Sequence, residues 1–177
     1  MRRELFIHFS FWFSFFVLIS IVNHFLNLDY WPFWLGGLVG VFMPDLDHLV
    51  YVFFSGPQEL TSQRVAFLWG RKEYKRIIEL LYETRSERRG LIFHTIFFQA
   101  LFLVLTFWIM SSSASLFGKG LVLSFALHLS MDQLVDIIEM KSLDNWTRFL
   151  PIGIDLGKSK IYWSIGILLV TAMGLFM

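Results

Sequence analysis

Five long runs of apolar residues, separated by polar segments, form the pattern of this chain. They cover approximately residues 5–26, 31–54, 91–110, 121–140 and 161–176. Four of them reach the about 20 residues that a helix needs to cross the hydrocarbon core of a bilayer, and the last is short but can still span it. The pattern predicts an all-α fold, a polytopic membrane helix bundle with about five transmembrane helices in one domain, residues 1–177.

The longest polar segment, residues 58–89, lies between the second and third runs and holds eight Lys or Arg and five Glu residues. Residues 74–82 have helical spacing, with Ile77, Ile78, Leu80 and Leu81 available for one apolar face. We expect an amphipathic helix there, lying on the membrane surface or capping a site.

Positive charge is distributed unevenly between the two sides of the predicted bundle. With the N-terminus inside, fourteen of the fifteen Lys and Arg residues lie on the cytoplasmic side, and Lys119 lies outside. Cytoplasmic loops carry the excess of Lys and Arg in membrane proteins, so this asymmetry supports five spans with the C-terminus outside.

Composition agrees with the membrane class, because 56% of the residues are hydrophobic and only 16% are charged. A formal net charge of +1 gives no reason to expect nucleic acid as a partner, and membrane lipid is the expected environment and candidate substrate. The chain has no Cys, which excludes disulfides and thiolate metal sites. Any metal must therefore be bound by His and carboxylate side chains.

A cluster of ionisable residues, Pro44-Asp45-Leu46-Asp47-His48, interrupts the second apolar run. Ionisable groups at membrane depth cost roughly 2.5–3.5 kcal/mol each on insertion scales, and they persist where they face a cavity or each other. Pro44 removes a backbone donor and is expected to kink the helix, a break that is tolerated where it lines a cavity. The cluster requires a partner, and a metal cation is the natural one.

Other rare titratable side chains lie at a similar predicted depth in different helices. His8 lies at the cytoplasmic end of the first helix, His94 opens the third, and the fourth carries His128 and Asp132. The last two are four residues apart and share a helix face. His24 lies at the opposite membrane face and is left out. We therefore expect one site near the cytoplasmic side, built from four helices.

Histidines and aspartates without cysteine suit zinc, or else manganese or iron, and their number allows one or two ions. Asp47 is the candidate catalytic residue, because it would orient or deprotonate the attacking water; His48 shares that role or binds an ion. A structural explanation also exists, since the aspartates could cap a broken helix and the fourth helix could hold a buried ion pair. The predicted metal ligands are His8, Asp45, His48, His94, His128 and Asp132.

These motifs resemble those of the YdjM-like family of inner-membrane-associated, metal-dependent hydrolases. The pattern of that family is a His near the N-terminus, then Pro-Asp-x-Asp-His, then an Arg-Gly motif leading to a His, then His-x-x-x-Asp. In this chain the corresponding parts are His8 and residues 44–48, 89–95 and 128–132. The resemblance thus covers about residues 8–132.

The third motif departs from the family pattern His-Arg-Gly-x-Thr-His-Ser. This chain has Arg88 where the first His would stand, one extra residue before His94, and Thr95 in place of Ser. The family also looks distantly similar to zinc-dependent phospholipases C, helical enzymes whose metals are held by His and Asp. The resemblance implies hydrolase activity in a prokaryotic cytoplasmic membrane, whereas spacing and topology indicate only a metal site.

The resulting hypothesis is a membrane-embedded hydrolase that uses a metal-activated water on a phosphoester, such as that of a membrane phospholipid. Arg88 and Arg89, close to His94, are the candidate phosphate-binding residues, although the positive-inside rule alone also explains them. The alternative is a non-catalytic membrane protein, namely an ion carrier, a scaffold or an inactive homologue. In that case the same polar residues hold helices together.

Overall fold

The computed structural model describes residues 2–84, 87, 88, 90–150 and 153–177, with side chains from Phe6 onwards. Over these residues the chain is helical and contains no strand, so the predicted all-α class is confirmed. The helices are α1 (Arg2–Val22), α2 (Trp31–Phe42), α3 (Leu46–Val50), α4 (Leu60–Gly70), α5 (Tyr74–Glu83), α6 (Ile96–Ser112), α7 (Leu116–Glu139), α8 (Asp144–Thr147) and α9 (Leu156–Leu175).

The second apolar run is divided at Pro44, as its sequence predicts. Helix α2 ends at Phe42, and α3 begins at Leu46 and continues into a π-helical turn, Tyr51–Ser55. Tight turns bridge the break: the amide of Asp47 donates to the carbonyl of Pro44 over 3.1 Å. Asp45 precedes α3, but its side chain makes no capping hydrogen bond, so capping does not account for this aspartate.

Helix α7 is the centre of the bundle, and α1, α2, α6 and α9 pack around it. Fifteen of its 24 residues are buried, including His128 and Asp132. The core beside it is aromatic; the rings of Phe16 and Phe33 stack with centroids 4.8 Å apart. The most enclosed helix of the fold thus carries two of the predicted metal ligands.

Glycines allow α2 and α7 to approach each other closely. A Cβ atom on Gly36 would lie 2.0 Å from the carbonyl oxygen of Phe117, and one on Gly120 would lie 2.0 Å from that of Phe33. A Cβ atom on Gly40, one helical turn beyond Gly36, would lie 2.3 Å from the carbonyl oxygen of Leu121 on α7. Small residues four apart are typical of tightly crossing membrane helices. Their spacing brings the break after α2 next to the middle of α7.

A buried amide pair joins three helices. The Gln133 side chain donates to Gln99 Oε1 over 2.6 Å, and Gln99 Nε2 donates back to Gln133 Oε1 over 3.3 Å. The hydroxyl of Tyr162, on α9, also donates to Gln99 Oε1 over 2.6 Å. Polar side chains that pair across helices in an apolar surrounding fix the helices' register.

Two helices in the described part of the chain are long and apolar enough to cross a membrane, Leu28–Ser55 and Leu116–Glu139. Two more apolar helices, Phe6–Val22 and Ile96–Ser112, are shorter. Length and composition therefore support membrane association for two segments. They do not establish the five spans that the apolar runs predict, because a buried core helix such as α7 passes the same test.

The polar segment between the second and third runs contains α4 and α5. The amphipathic helix predicted over residues 74–82 is confirmed as α5, Tyr74–Glu83. Ile77 of this helix is buried and packs with Val52 and Val65 in a small separate core. This core attaches α5 to the chain just beyond the broken helix.

The close crossing of α2 and α7 predicts that Gly120→Ala destabilises the protein. The added Cβ atom would meet backbone rather than a flexible side chain, and overpacking of this kind costs about 1–3 kcal/mol. Gly70→Ala is the matched control, because nothing lies within 4 Å of a Cβ at Gly70 and alanine favours helix. Thermal unfolding of the purified protein should show a lower midpoint for Gly120→Ala alone; equal midpoints for the two variants would contradict the close approach.

Candidate metal centre

Three side chains from α1 and α7 form the heart of the site. Asp132 Oδ1 lies 3.2 Å from His8 Nε2, and Asp132 Oδ2 lies 3.2 Å from His128 Nε2. One ligand atom from each residue lies within 4.8 Å of the other two. The His128 and Asp132 side chains are 5% and 3% exposed, and that of His8 is 11% exposed. This buried group could hold a metal ion.

His94 also contacts the carboxylate of Asp132. Its Nε2 lies 3.0 Å from Asp132 Oδ2, and its Nδ1 lies 3.1 Å from Asp47 Oδ2. Asp47 is 1% exposed and also accepts hydrogen bonds from the amides of Ile92 (3.0 Å) and Phe93 (2.6 Å). A carboxylate behind a histidine fixes the ring orientation and tautomer of a metal ligand. Asp47 is therefore placed as a positioning residue for His94.

The segment that carries His94 is not helical, although the third apolar run predicts a helix from residue 91. Helix α6 begins at Ile96, and Thr95 caps it by accepting from the amide of Phe98. The first amides of a helix have no acceptor within the helix. Here the amides of Ile92 and Phe93, which precede α6, donate to the carboxylate of Asp47. Gly90 permits this path, because a Cβ there would lie 2.3 Å from the ring of Tyr51.

Arg148, in the connection after α7, supports that segment from outside. Its guanidinium donates to the carbonyl of Leu91 over 3.1 Å. Burial lowers the pKa of Arg148, while the nearby charge of Asp47 works in the opposite direction. An arginine in this position remains charged and helps to balance a buried carboxylate.

Asp45 occupies the entrance of the site. Its Oδ1 lies 3.7 Å from His128 Nε2, and its side chain is 51% exposed, far more than the other candidates. The break at Pro44 turns it towards α7. Asp45 is thus the most accessible of the predicted ligands and the one that faces an incoming molecule.

A cavity of about 270 Å³ opens in front of these residues. His8, Asp45, His128 and Asp132 line its polar end, together with His48 and Arg88. The remaining walls are largely apolar and come from α1, α2, α3 and α5. The candidate centre is therefore accessible to a ligand while its deepest side chains stay buried.

His48 and Arg88 are joined to each other at the side of this cavity. Arg88 Nε donates to His48 Nδ1 over 3.1 Å, and Arg88 also donates to Thr84 Oγ1 over 2.8 Å and to the carbonyl of Leu81. The His48 ring lies 5.3 Å from that of His94. The phosphate-binding role of Arg88 stays a prediction, and Arg89 lies outside the described residues.

The donor set fits a cation. Both ring nitrogens of His128 are buried without a hydrogen-bond partner among the described residues, although Nε2 lies 3.2 Å from Asp132. That short contact lacks hydrogen-bond geometry, and a cation between the two groups would satisfy both. Donors in a tetrahedral zinc site lie about 3.3–3.6 Å apart. The nitrogen–oxygen separations around Asp132 and His128 are 3.2, 3.0, 3.2 and 3.7 Å.

Trp146 is a component of the site that the sequence did not indicate. Its indole donates to Asp136 Oδ2 over 2.7 Å, and its ring lies 5.3 Å from that of His94. It is 2% exposed. The sequence does show Asp136, which lies four residues after Asp132 on the same face of α7. No feature of the polar connection after α7 indicates that Trp146 would contact this aspartate.

The structure brings together most of the residues predicted for the site. His8, His94 and His128 each contact Asp132, Asp45 lies beside His128, and Asp47 stands one contact away behind His94. His48 lines the cavity but contacts Arg88. A direct action of Asp47 on water stays a prediction. His24, excluded by its predicted depth, does not line this cavity and follows α1 with a φ of 60°.

Comparison with known proteins adds no relative. A scan against protein-family models finds no match, and neither do searches of the curated proteins and the solved structures.

Purified protein is expected to contain a divalent metal that depends on this cluster. His128→Ala removes a buried ligand and should reduce bound metal to less than about a tenth, while Asp45→Ala, at the exposed entrance, should lower affinity by about tenfold. His24→Ala is the control and should retain the metal content of the wild type. Elemental analysis measures all three, and full stoichiometry in both His128→Ala and Asp45→Ala would remove the metal site.

Proposed function

We propose that this chain is a membrane-embedded, metal-dependent hydrolase that acts on a phosphoester such as that of a membrane phospholipid. The observation that carries the proposal is the meeting of three histidines at one buried carboxylate, Asp132, on the wall of an accessible cavity. Perturbed or unsatisfied polar groups gathered in a cavity are typical of catalytic sites. The motif resemblance to the YdjM-like hydrolases supports the same reaction class.

The membrane part of the proposal is supported by the outer surface of the bundle. On α6, five large apolar residues are between 58% and 71% exposed: Phe97, Leu101, Val104, Phe107 and Trp108. A continuous apolar face of this kind marks contact with lipid or another apolar partner. Together with the uneven distribution of Lys and Arg, it supports five spans with the N-terminus and the site on the cytoplasmic side of an inner membrane.

His8, His128 and Asp132 would hold the metal, with His94 and Asp45 completing its ligands. Zinc is the proposed metal, because imidazole and carboxylate without thiolate is the ligand set of catalytic zinc sites. A bound divalent ion supplies Lewis acidity, which polarises a phosphoryl oxygen and activates water near neutral pH. Asp47 keeps His94 oriented through its Nδ1.

His48 is suited to donate a hydrogen bond to a substrate. Its Nδ1 accepts from the permanently charged Arg88, so the neutral ring carries its proton on Nε2. That N–H can donate a hydrogen bond to the leaving oxygen of a phosphoester in the cavity that His48 lines, which stabilises the charge that develops as the P–O bond breaks, while the proton that the leaving oxygen finally takes comes from the attacking water. Arg88 serves as the positioning residue for this step, and its charge also favours an anionic substrate nearby.

The reaction is tested by comparing leaving groups. Wild-type protein should hydrolyse an alkyl phosphodiester and a p-nitrophenyl phosphodiester, and chelation or His128→Ala should abolish both activities. His48→Ala removes this hydrogen-bond donor and should slow the alkyl substrate by about 10²–10³-fold, while the p-nitrophenyl substrate, whose leaving group is a stable anion without such a donor, should be affected far less.

His24→Ala is the matched control and should leave both rates unchanged. Equal losses on the two substrates in His48→Ala would contradict the hydrogen-bond role of His48. Absence of any metal-dependent hydrolysis in the wild type would favour a scaffold or an inactive homologue.

The topology is tested with single cysteines, because the chain contains none of its own. Ala114→Cys and Gln58→Cys lie at exposed positions on opposite predicted sides. A membrane-impermeant maleimide should label Ala114→Cys in intact cells and label Gln58→Cys only after permeabilisation. Labelling of both from the same side would contradict the five-span arrangement.

A further inference from the structure

We infer that the apolar end of the cavity is a binding subsite for one hydrocarbon chain of an amphiphilic substrate. The inference rests on the proposed function, and it names the substrate class as a lipid rather than a water-soluble phosphoester. The chain subsite is defined by residues that line the cavity opposite the polar cluster: Phe9, Val41, Phe42, Leu49, Ile78 and Leu81.

The subsite is built by four separate elements around one polar floor. Phe9 comes from α1, one residue after the metal-ligand candidate His8, and Phe42 ends α2 three residues before Asp45. Leu49 follows on α3, and Ile78 closes the cavity from α5. The apolar residues of the chain subsite and the polar residues of the site are therefore neighbours on the same helices. A molecule in the cavity meets carboxylate and imidazole at one end and hydrocarbon at the other.

Helix α5 is held in a fixed orientation beside the chain subsite. Ile77 is buried against the small core with Val52 and Val65, so the next face of the helix turns to the cavity. That face presents Ile78 and Leu81, three residues apart. Arg88 hydrogen-bonds the carbonyl of Leu81 and links the end of the helix to the site. The amphipathic segment is thus an integral wall of the cavity.

Exposure at the wall indicates an apolar occupant. Ile78 is 58% exposed and Phe42 is 48% exposed, although both line a cavity whose deep end is buried. Large apolar side chains left open around a polar centre are typical of ligand sites, in which the ligand covers them. A hydrocarbon chain would cover both residues without placing a polar group against them.

Size and charge restrict the occupant further. The cavity of about 270 Å³ is slightly below the usual range of roughly 300–1,000 Å³ for ligand pockets, so it cannot enclose a two-chain phospholipid. It can take the polar group and the adjoining part of one chain, while the rest of the lipid stays in the bilayer. The aspartates at the floor disfavour a free anionic group unless a metal is present, which places the phosphate at the metal and the chain at the wall.

The probe for this subsite is a monoacylglycerol that carries a photoreactive diazirine in its acyl chain. It is uncharged, so its binding does not require the metal. Wild-type protein in nanodiscs should be labelled saturably, and excess unlabelled monoacylglycerol should remove at least about four-fifths of the adducts from residues 42–49 and 74–84. Nonspecific contact with bulk lipid does not saturate in this way.

Pairs of variants with similar exposure, one inside and one outside the cavity, test whether photolabelling depends on the residues of the chain subsite. Ile78→Asp should lower saturable labelling at least fivefold, whereas Ile138→Asp, 57% exposed on α7 and outside the cavity, should not change it. Phe42→Gln and Phe11→Gln form a second pair, at 48% and 49% exposure, and only Phe42→Gln should reduce labelling. Labelling that does not saturate, or equal loss within both pairs, would overturn the chain subsite.

The outcome is separable from that of the hydrolase proposal. His128→Ala should lose metal and hydrolysis but keep saturable labelling, because the wall of the subsite is intact. Saturable labelling without any hydrolysis would leave the chain subsite standing and refute the enzyme. Metal-dependent hydrolysis without saturable labelling would support the enzyme and refute the lipid-chain subsite.

Discussion

A single buried carboxylate imposes the main constraint on this structure. Asp132 lies in the middle of the most enclosed helix and contacts nitrogens of His8, His94 and His128 over 3.0–3.2 Å. A buried carboxylate is costly unless positive charge or several donors compensate it. Three neutral imidazoles can act as metal ligands but carry no charge of their own. A cation held by His8, His128 and Asp132 would offset this buried charge and would occupy the unpaired Nε2 of His128.

Two features of the backbone make this meeting possible. Glycines at the crossing of α2 and α7 bring the two helices into direct backbone contact, and beyond the break at Pro44 Asp45 faces α7 while Asp47 faces the segment before α6. Asp47 in turn collects the amides before α6 and fixes His94. A continuous series of contacts therefore runs from the crossing of α2 and α7, past the break at Pro44, to Asp47 and His94.

Sequence reasoning predicted the helices and most of the site for identifiable reasons. Long apolar runs located the helices of the bundle, and equal predicted depth selected His8, His94, His128 and Asp132 while excluding His24. The role of Asp47 was not predictable, because a regular helix would point it elsewhere and the break at Pro44 removes that register. Helix α6 begins at Ile96, where Thr95 caps it, two residues after His94, the residue predicted to open this helix. The position of Trp146 in the site depends on the path that the polar connection takes after α7, and no periodicity in the sequence predicts that path.

The most direct test of the central claim is zinc K-edge X-ray absorption on the purified, zinc-loaded protein. A shared site predicts a nitrogen and oxygen shell at about 2.0–2.1 Å, with outer-shell scattering from two or three imidazole rings that falls in the His128→Ala variant. A spectrum without imidazole scattering, or one unchanged by His128→Ala, would show that the metal binds elsewhere and that these side chains meet for structural reasons alone.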